Sequence, residues 1–145
     1  MEFEKLKSGD EIKKVLKEAF DMELPVSGDW GYGKDAPLVI EKSSMPYNQV
    51  EYIYASMRAT LEMSLTQPKE SRYGGINVKE ISKESIDGLE KVVYEITAIK
   101  EEIYKELIKE YKEGYGKSDF DIDEHFKKRE KNKIKREVVY WFKLN

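Results

Sequence analysis

Residues 53–65 constrain this chain more than any other stretch. They read IYASMRATLEMSL, and every odd position is apolar: Ile53, Ala55, Met57, Ala59, Leu61, Met63 and Leu65. The even positions, Tyr54, Ser56, Arg58, Thr60, Glu62 and Ser64, are mostly polar. A sustained period of two is the pattern of a strand with one buried face. At about 3.3 Å per residue it predicts a strand roughly 40 Å long, which only a twisted sheet accommodates. A helix is the competing reading. Val50, Tyr54, Met57, Leu61 and Leu65 also trace a helical stripe, and Ala, Met, Leu and Glu favour helix intrinsically. The strand is the expectation adopted.

The rest of the chain supplies partners for it. Ser8-Gly-Asp-Glu11 reads as a capping box, and Ile12, Val15, Leu16, Ala19 and Phe20 give an amphipathic helix over 9–21, with Pro25 barring its continuation. A glycine-rich connection with aromatics covers 26–37, and Leu38–Glu41 is a short strand. KSSMPYNQ (42–49) is a turn, as is 66–75, where Pro68 and the Gly74–Gly75 pair break regular structure. Ile76, Val78 and Ile81 mark a further strand, followed by a turn at SKESIDG (82–88). Residues 92–98 alternate again. The period then lengthens, with Ile99, Ile103, Leu107 and Tyr111 on one stripe, predicting a helix over 100–113 closed by Gly114 and Gly116. A short helix capped by Ser118 or Asp121 and anchored by Ile122 and Phe126 follows. The β-branched and aromatic run 134–144 is a strand.

These elements predict one α+β domain spanning 1–145: a mainly antiparallel sheet of about four to five strands, a meander, with two or three helices packed largely on one face. A partly closed barrel around a helix, or a mainly helical domain, are the alternatives. Tyr54, Val93, Val139 and Trp141 fall on the second face of their strands, which calls for cover by a loop, a helix or a partner.

The chain has 145 residues and no cysteine, which excludes disulfides and thiol chemistry. Its 26 basic and 29 acidic residues leave a net charge of −3, which argues against a dedicated nucleic-acid binder. The start carries acids and does not resemble a signal peptide, and no apolar run is long enough to cross a membrane, so a cytoplasmic protein is expected.

Four constellations bear on function. Gly28-Asp-Trp-Gly-Tyr-Gly33-Lys34-Asp35 matches most of a phosphate-binding GxxxxGK loop, but Asp35 replaces the required hydroxyl and Ala36-Pro37 blocks the helix that supplies the anion site. It reads instead as a structured turn carrying Trp30 and Tyr32 into the core edge; the alternative is a ligand-facing loop in which Trp30 or Tyr32 stacks on a ligand and Lys34 or Asp35 supplies polarity. Asp119, Asp121 and Asp123 alternate as in a calcium loop, but Glu124 stands where glycine is required, so they fit the start of a helix. His125, the single histidine, has no triad or zinc spacing and reads as a surface or boundary residue. Arg58 and Glu62 share a polar face. On a strand they sit roughly 13 Å apart and line a cleft; on a helix they form an ordinary surface pair. From Lys127 onward there are eight basic residues against Glu130 and Glu137, beside Tyr140 and Trp141.

The expected function is therefore binding or protein interaction without catalysis and without a cofactor or metal. The contact residues are Trp30, Tyr32, Lys34, Asp35, Arg58, Glu62 and Trp141, and the expected partners are a protein, a small molecule, or a second copy docked through the sheet face near Trp141. One alternative is a hydrolase with Asp35, Glu62 or His125 in a cleft beside the 28–35 loop. Another is a weak nucleic-acid binder using the basic C-terminal segment.

Overall fold

A two-residue turn organises the observed fold. In a computed structural model that describes residues 3–7 and 11–145, Asp87 and Gly88 both take positive φ, 51° and 80°. This Asp-Gly geometry matches the twist of flanking strands and closes a long hairpin. Its arms are β3 (Tyr73–Ile86) and β4 (Leu89–Lys100). The turn expected over 82–88 thus shrinks to two residues, and the strand expected around 76–81 extends at both ends. A bulge between Gly74 and Asn77 absorbs the glycine pair expected to break regular structure before it.

β5 (Lys133–Leu144) pairs antiparallel with β4, setting Val93 opposite Val139 and Lys91 opposite Trp141. Its far end pairs parallel with β2 (Leu38–Ile40), and β2 pairs antiparallel with β1 (Val26–Gly28). The order β1-β2-β5-β4-β3 places the last strand in the middle of the sheet, so the topology is not the expected meander. The domain is α+β, with a five-stranded, mostly antiparallel sheet and four helices packed on one face.

Residues 53–65 are helical, contrary to the strand expectation. They belong to α2 (Tyr47–Thr60), extended by a π-helical turn over Leu61–Leu65. Pro46 stands just before the first helical residue, where its fixed φ and missing N–H are tolerated. The alternation misled because α2 is buried on nearly all sides. Val50, Tyr54, Met57 and Leu61 of the helical stripe enter the core while Leu65 is exposed, and Ala55, Ala59 and Met63 are buried as well. A helix enclosed on all sides loses the polar face that distinguishes its period.

α1 (Ile12–Phe20) buries Ile12 and Leu16 and ends at Asp21 in the left-handed region, before Pro25 is reached. Ser8 of the expected capping box, with Gly9 and Asp10, lies outside the described residues. α3 (Glu101–Gly114) and α4 (Ile122–Asn132) form a hairpin at the end of β4. The Asp121 carboxylate accepts the Glu124 N–H at 3.1 Å, the cap expected there. Ile122 and Phe126, expected to anchor this helix, are exposed, and the buried anchor is His125 at 0 % exposure. Tyr54 is likewise not on an open sheet face. It packs edge-on against Tyr140 and Phe142 and stacks on Trp30 in the core.

Candidate functional site

The loop from Asp29 to Pro37 is held by its own main chain. Asp29 N–H donates to the Pro37 carbonyl, Gly31 N–H to Ala36 and Ala36 N–H to Gly33. Amides spent in this way cannot cradle a phosphate, and the loop runs into β2 rather than a helix. Gly31 has φ +86°, and a Cβ there would meet the Trp141 carbonyl oxygen at 2.8 Å. Its own carbonyl accepts the Trp141 N–H at 2.9 Å, so the loop is stitched to β5 where only glycine fits. This fixes Trp30, which is buried, and Tyr32, which is half-buried.

α2 meets this loop with a polar stripe. Arg58 and Glu62 are 2 % and 1 % exposed, so they are neither 13 Å apart on a strand nor a surface pair on a helix. The Arg58 guanidinium lies between the rings of Tyr32 and Tyr140, 3.8 Å from each centroid. A desolvated cation between aromatic faces gains about 2 kcal/mol or more from such contacts. Its Nη1 donates to the Trp30 carbonyl at 2.9 Å, and the Tyr54 hydroxyl donates to the same oxygen at 2.7 Å. Burial disfavours the cation, but the surrounding tyrosine oxygens and Glu62 more than offset this and hold its pKa above the ordinary value.

Glu62 sits in the π-helical turn. The widened turn is completed by the Thr66 N–H donating to the Leu61 carbonyl, while the Thr66 hydroxyl and the Gln67 amide take the Leu61 and Glu62 carbonyls. Such insertions recur at functional sites. One Glu62 oxygen accepts the Tyr32 hydroxyl and faces Arg58 Nε at 3.6 Å, and the other accepts Arg136 Nη1 at 3.4 Å. Burial, and then donation to Glu62, push the Tyr32 hydroxyl up to about 12. Tyr32 therefore remains a neutral donor.

These groups floor an open cleft of about 770 Å³ between residues 3–7, the loop, α2 and β5. Lys5, Lys135 and Arg136 line it with Arg58, against the carboxylates of Glu62 and Glu137. Four cations face two anions, so the lining is cationic on a chain whose net charge is −3. Phe3, Val138 and Val139 add apolar wall.

Of the residues expected from sequence, the structure brings Tyr32, Arg58 and Glu62 together here, with Trp30 contributing its carbonyl. Lys34 and Asp35 stand apart and exposed. Lys34 pairs with Asp87 at the hairpin turn, and its ammonium holds that carboxyl below its usual pKa. Trp141 is half-buried and reaches the loop through its backbone. His125 packs among Tyr111, Phe120 and Phe126, and neither ring nitrogen has a hydrogen-bond partner among the described residues. Sequence reasoning missed Lys5 and placed Lys135 and Arg136 only in the basic C-terminal segment. It also missed Glu51, although Glu51, Tyr54, Arg58 and Glu62 fall at helical spacing and would have formed a polar stripe had 53–65 been read as helix.

Glu51, also on α2, is 1 % exposed. It accepts Lys83 Nζ from β3 at 2.8 Å, and that ammonium is 3.5 Å from Glu80 and 3.9 Å from Glu90. Burial, and then the neighbouring Glu90 carboxyl, push Glu51 up to about 8, with Lys83 pulling the other way. Among the described residues no three carboxylate, histidine or cysteine side chains come together as metal ligands, and no helix is long and apolar enough to cross a membrane.

No family model, curated protein or solved structure matches the chain, so the case for this site rests on its geometry.

Proposed function

We propose that this chain is a non-catalytic binding domain whose ligand presents an anionic group to the cleft over Tyr32, Arg58 and Glu62. The observation that supports this is an excess of cationic side chains around an open cleft whose buried carboxylate is already engaged on both oxygens. A carboxylate held by Tyr32, Arg58 and Arg136 is an ion-pair partner rather than a free general base. Arg136, 3.4 Å from Glu62, has guanidinium N–H groups beyond that contact, suited to a bidentate carboxylate or phosphate. Phe3 and the valines provide apolar area beside it.

The hydrolase alternative needs two of Asp35, Glu62 and His125 in one pocket. Glu62 alone of these lines the cleft. The nucleic-acid alternative needs the 127–136 charges on one face near an exposed Tyr140 or Trp141, whereas Tyr140 is buried, Trp141 is half-buried, and Lys128 and Lys133 face Glu110 and Glu130.

Calorimetric titration with inorganic phosphate and with succinate tests the proposal. Saturable binding is expected in the millimolar range or tighter, about −4 kcal/mol or better, weakened by salt and lost in Arg136→Gln. Undiminished binding to Arg136→Gln, or none to the wild-type chain, refutes it.

A further inference from the structure

Residues 3–7 cross the site without forming helix or strand. The Leu6 N–H donates to the Tyr32 hydroxyl at 2.9 Å, and the Trp30 indole N–H donates to the Lys7 carbonyl at 3.0 Å. Two side chains of the loop thus address the main chain of adjacent residues, a contact open to other sequences. Selectivity lies in the side chains. The Phe3 ring meets Tyr73 edge-on at 5.7 Å and lies 4.7 Å from the Arg136 guanidinium, and Leu6 packs at the core edge. The segment leaves space on both sides: the cationic cleft, and a hollow of about 380 Å³ between Leu6, Trp30, Val15 and Leu61.

We propose that this groove is a peptide-recognition site filled in cis by residues 3–7, and that its partner is an unstructured acidic peptide with an aromatic residue, an acid two positions later and an apolar residue directly after the acid. This deepens the reading of the cleft as an anion site and rests on it. The spacing follows Phe3, Lys5 and Leu6. An acid in place of Lys5 exchanges a cation beside Arg136 and Lys135 for a complementary charge, while the aromatic and apolar residues take the Phe3 and Leu6 positions. Aromatic anchoring with main-chain hydrogen bonding is a recurrent mode of peptide capture. The cis segment competes with the incoming peptide, so the observed affinity is reduced by the fraction of time the groove is filled.

Fluorescence anisotropy with the full chain and a labelled, end-capped peptide Phe-Glu-Asp-Leu-Lys tests this, with Phe-Glu-Lys-Leu-Lys as the control. Phe3→Ala weakens the cis segment and is expected to tighten binding of the acidic peptide about fivefold or more. Tyr32→Phe is expected to weaken it, and the control peptide to bind more weakly than the acidic one. Leu6→Ala serves as a second weakened segment should Phe3→Ala melt early. No peptide binding to any of these proteins, or binding unchanged or weakened by a folded Phe3→Ala or Leu6→Ala, overturns the proposal. If phosphate or succinate still binds in that case, the anion site stands and the peptide reading alone falls. If neither binds, both fall.

Discussion

Replacing Glu51 with glutamine removes the buried, titrating carboxyl beneath the β3–β4 hairpin. The groups facing Glu51 are Lys83 and Glu80 from β3 and Glu90 and Tyr94 from β4. Its carboxyl is raised from an ordinary 4.5 to about 8, first by burial and then by Glu90. The folded chain therefore holds a proton that the unfolded chain releases above pH 4.5. Stability is lost where the folded state binds the extra proton, so it falls as pH rises from 4.5 to 8 and levels off above. From pH 4.5 to 7 the linkage amounts to about 3 kcal/mol. Solvent reaching Lys83 and Glu90 screens the site, and about 2 kcal/mol is the expected effect. Glutamine keeps the shape and a donor for Glu90 but does not titrate. Urea unfolding at pH 5, 6, 7 and 8 should show Glu51→Gln gaining about 2 kcal/mol on the wild-type chain across the series. A difference that stays flat with pH refutes the raised Glu51 carboxyl.

Other substitutions separate the buried ion pair from its surroundings. Glu62→Ala should destabilise by about 3 to 5 kcal/mol, because it leaves the buried Arg58 uncompensated, and Arg58→Met by less, because Arg136 still faces Glu62; denaturant midpoints should show the double variant losing less than the sum. Gly31→Ala, forced into φ +86° against the Trp141 carbonyl, should lower stability by about 2 kcal/mol or more, read from thermal melts. His125→Leu should change stability by no more than about 1 kcal/mol, since Nδ1 lies 3.7 Å from the half-exposed Glu110 carboxylate without a hydrogen bond; a loss of about 2 kcal/mol in urea unfolding would show that the Glu110 contact holds the ring.

Sequence alone determined the elements whose signals are local. The amphipathic spacing of Ile12 and Leu16, the Asp121 cap and the alternation of β4 and β5 depend on near neighbours, and these appear where their periods place them. An α+β class followed from the mixture of periods. Tertiary structure decided residues 53–65, because burial on nearly all sides, Arg58 and Glu62 included, removes the exposed polar face by which a sequence declares a helix. It also decided that β5 enters the middle of the sheet, since pairing between distant strands leaves no local trace. The site was half legible for the same reason. Tyr32 stood out as an aromatic among glycines, but Arg58 and Glu62 became a buried pair only when the helix turned them toward the loop. Arg136 arrived from β5, and Lys5 from a segment with no periodicity at all. What joins them is distance in space.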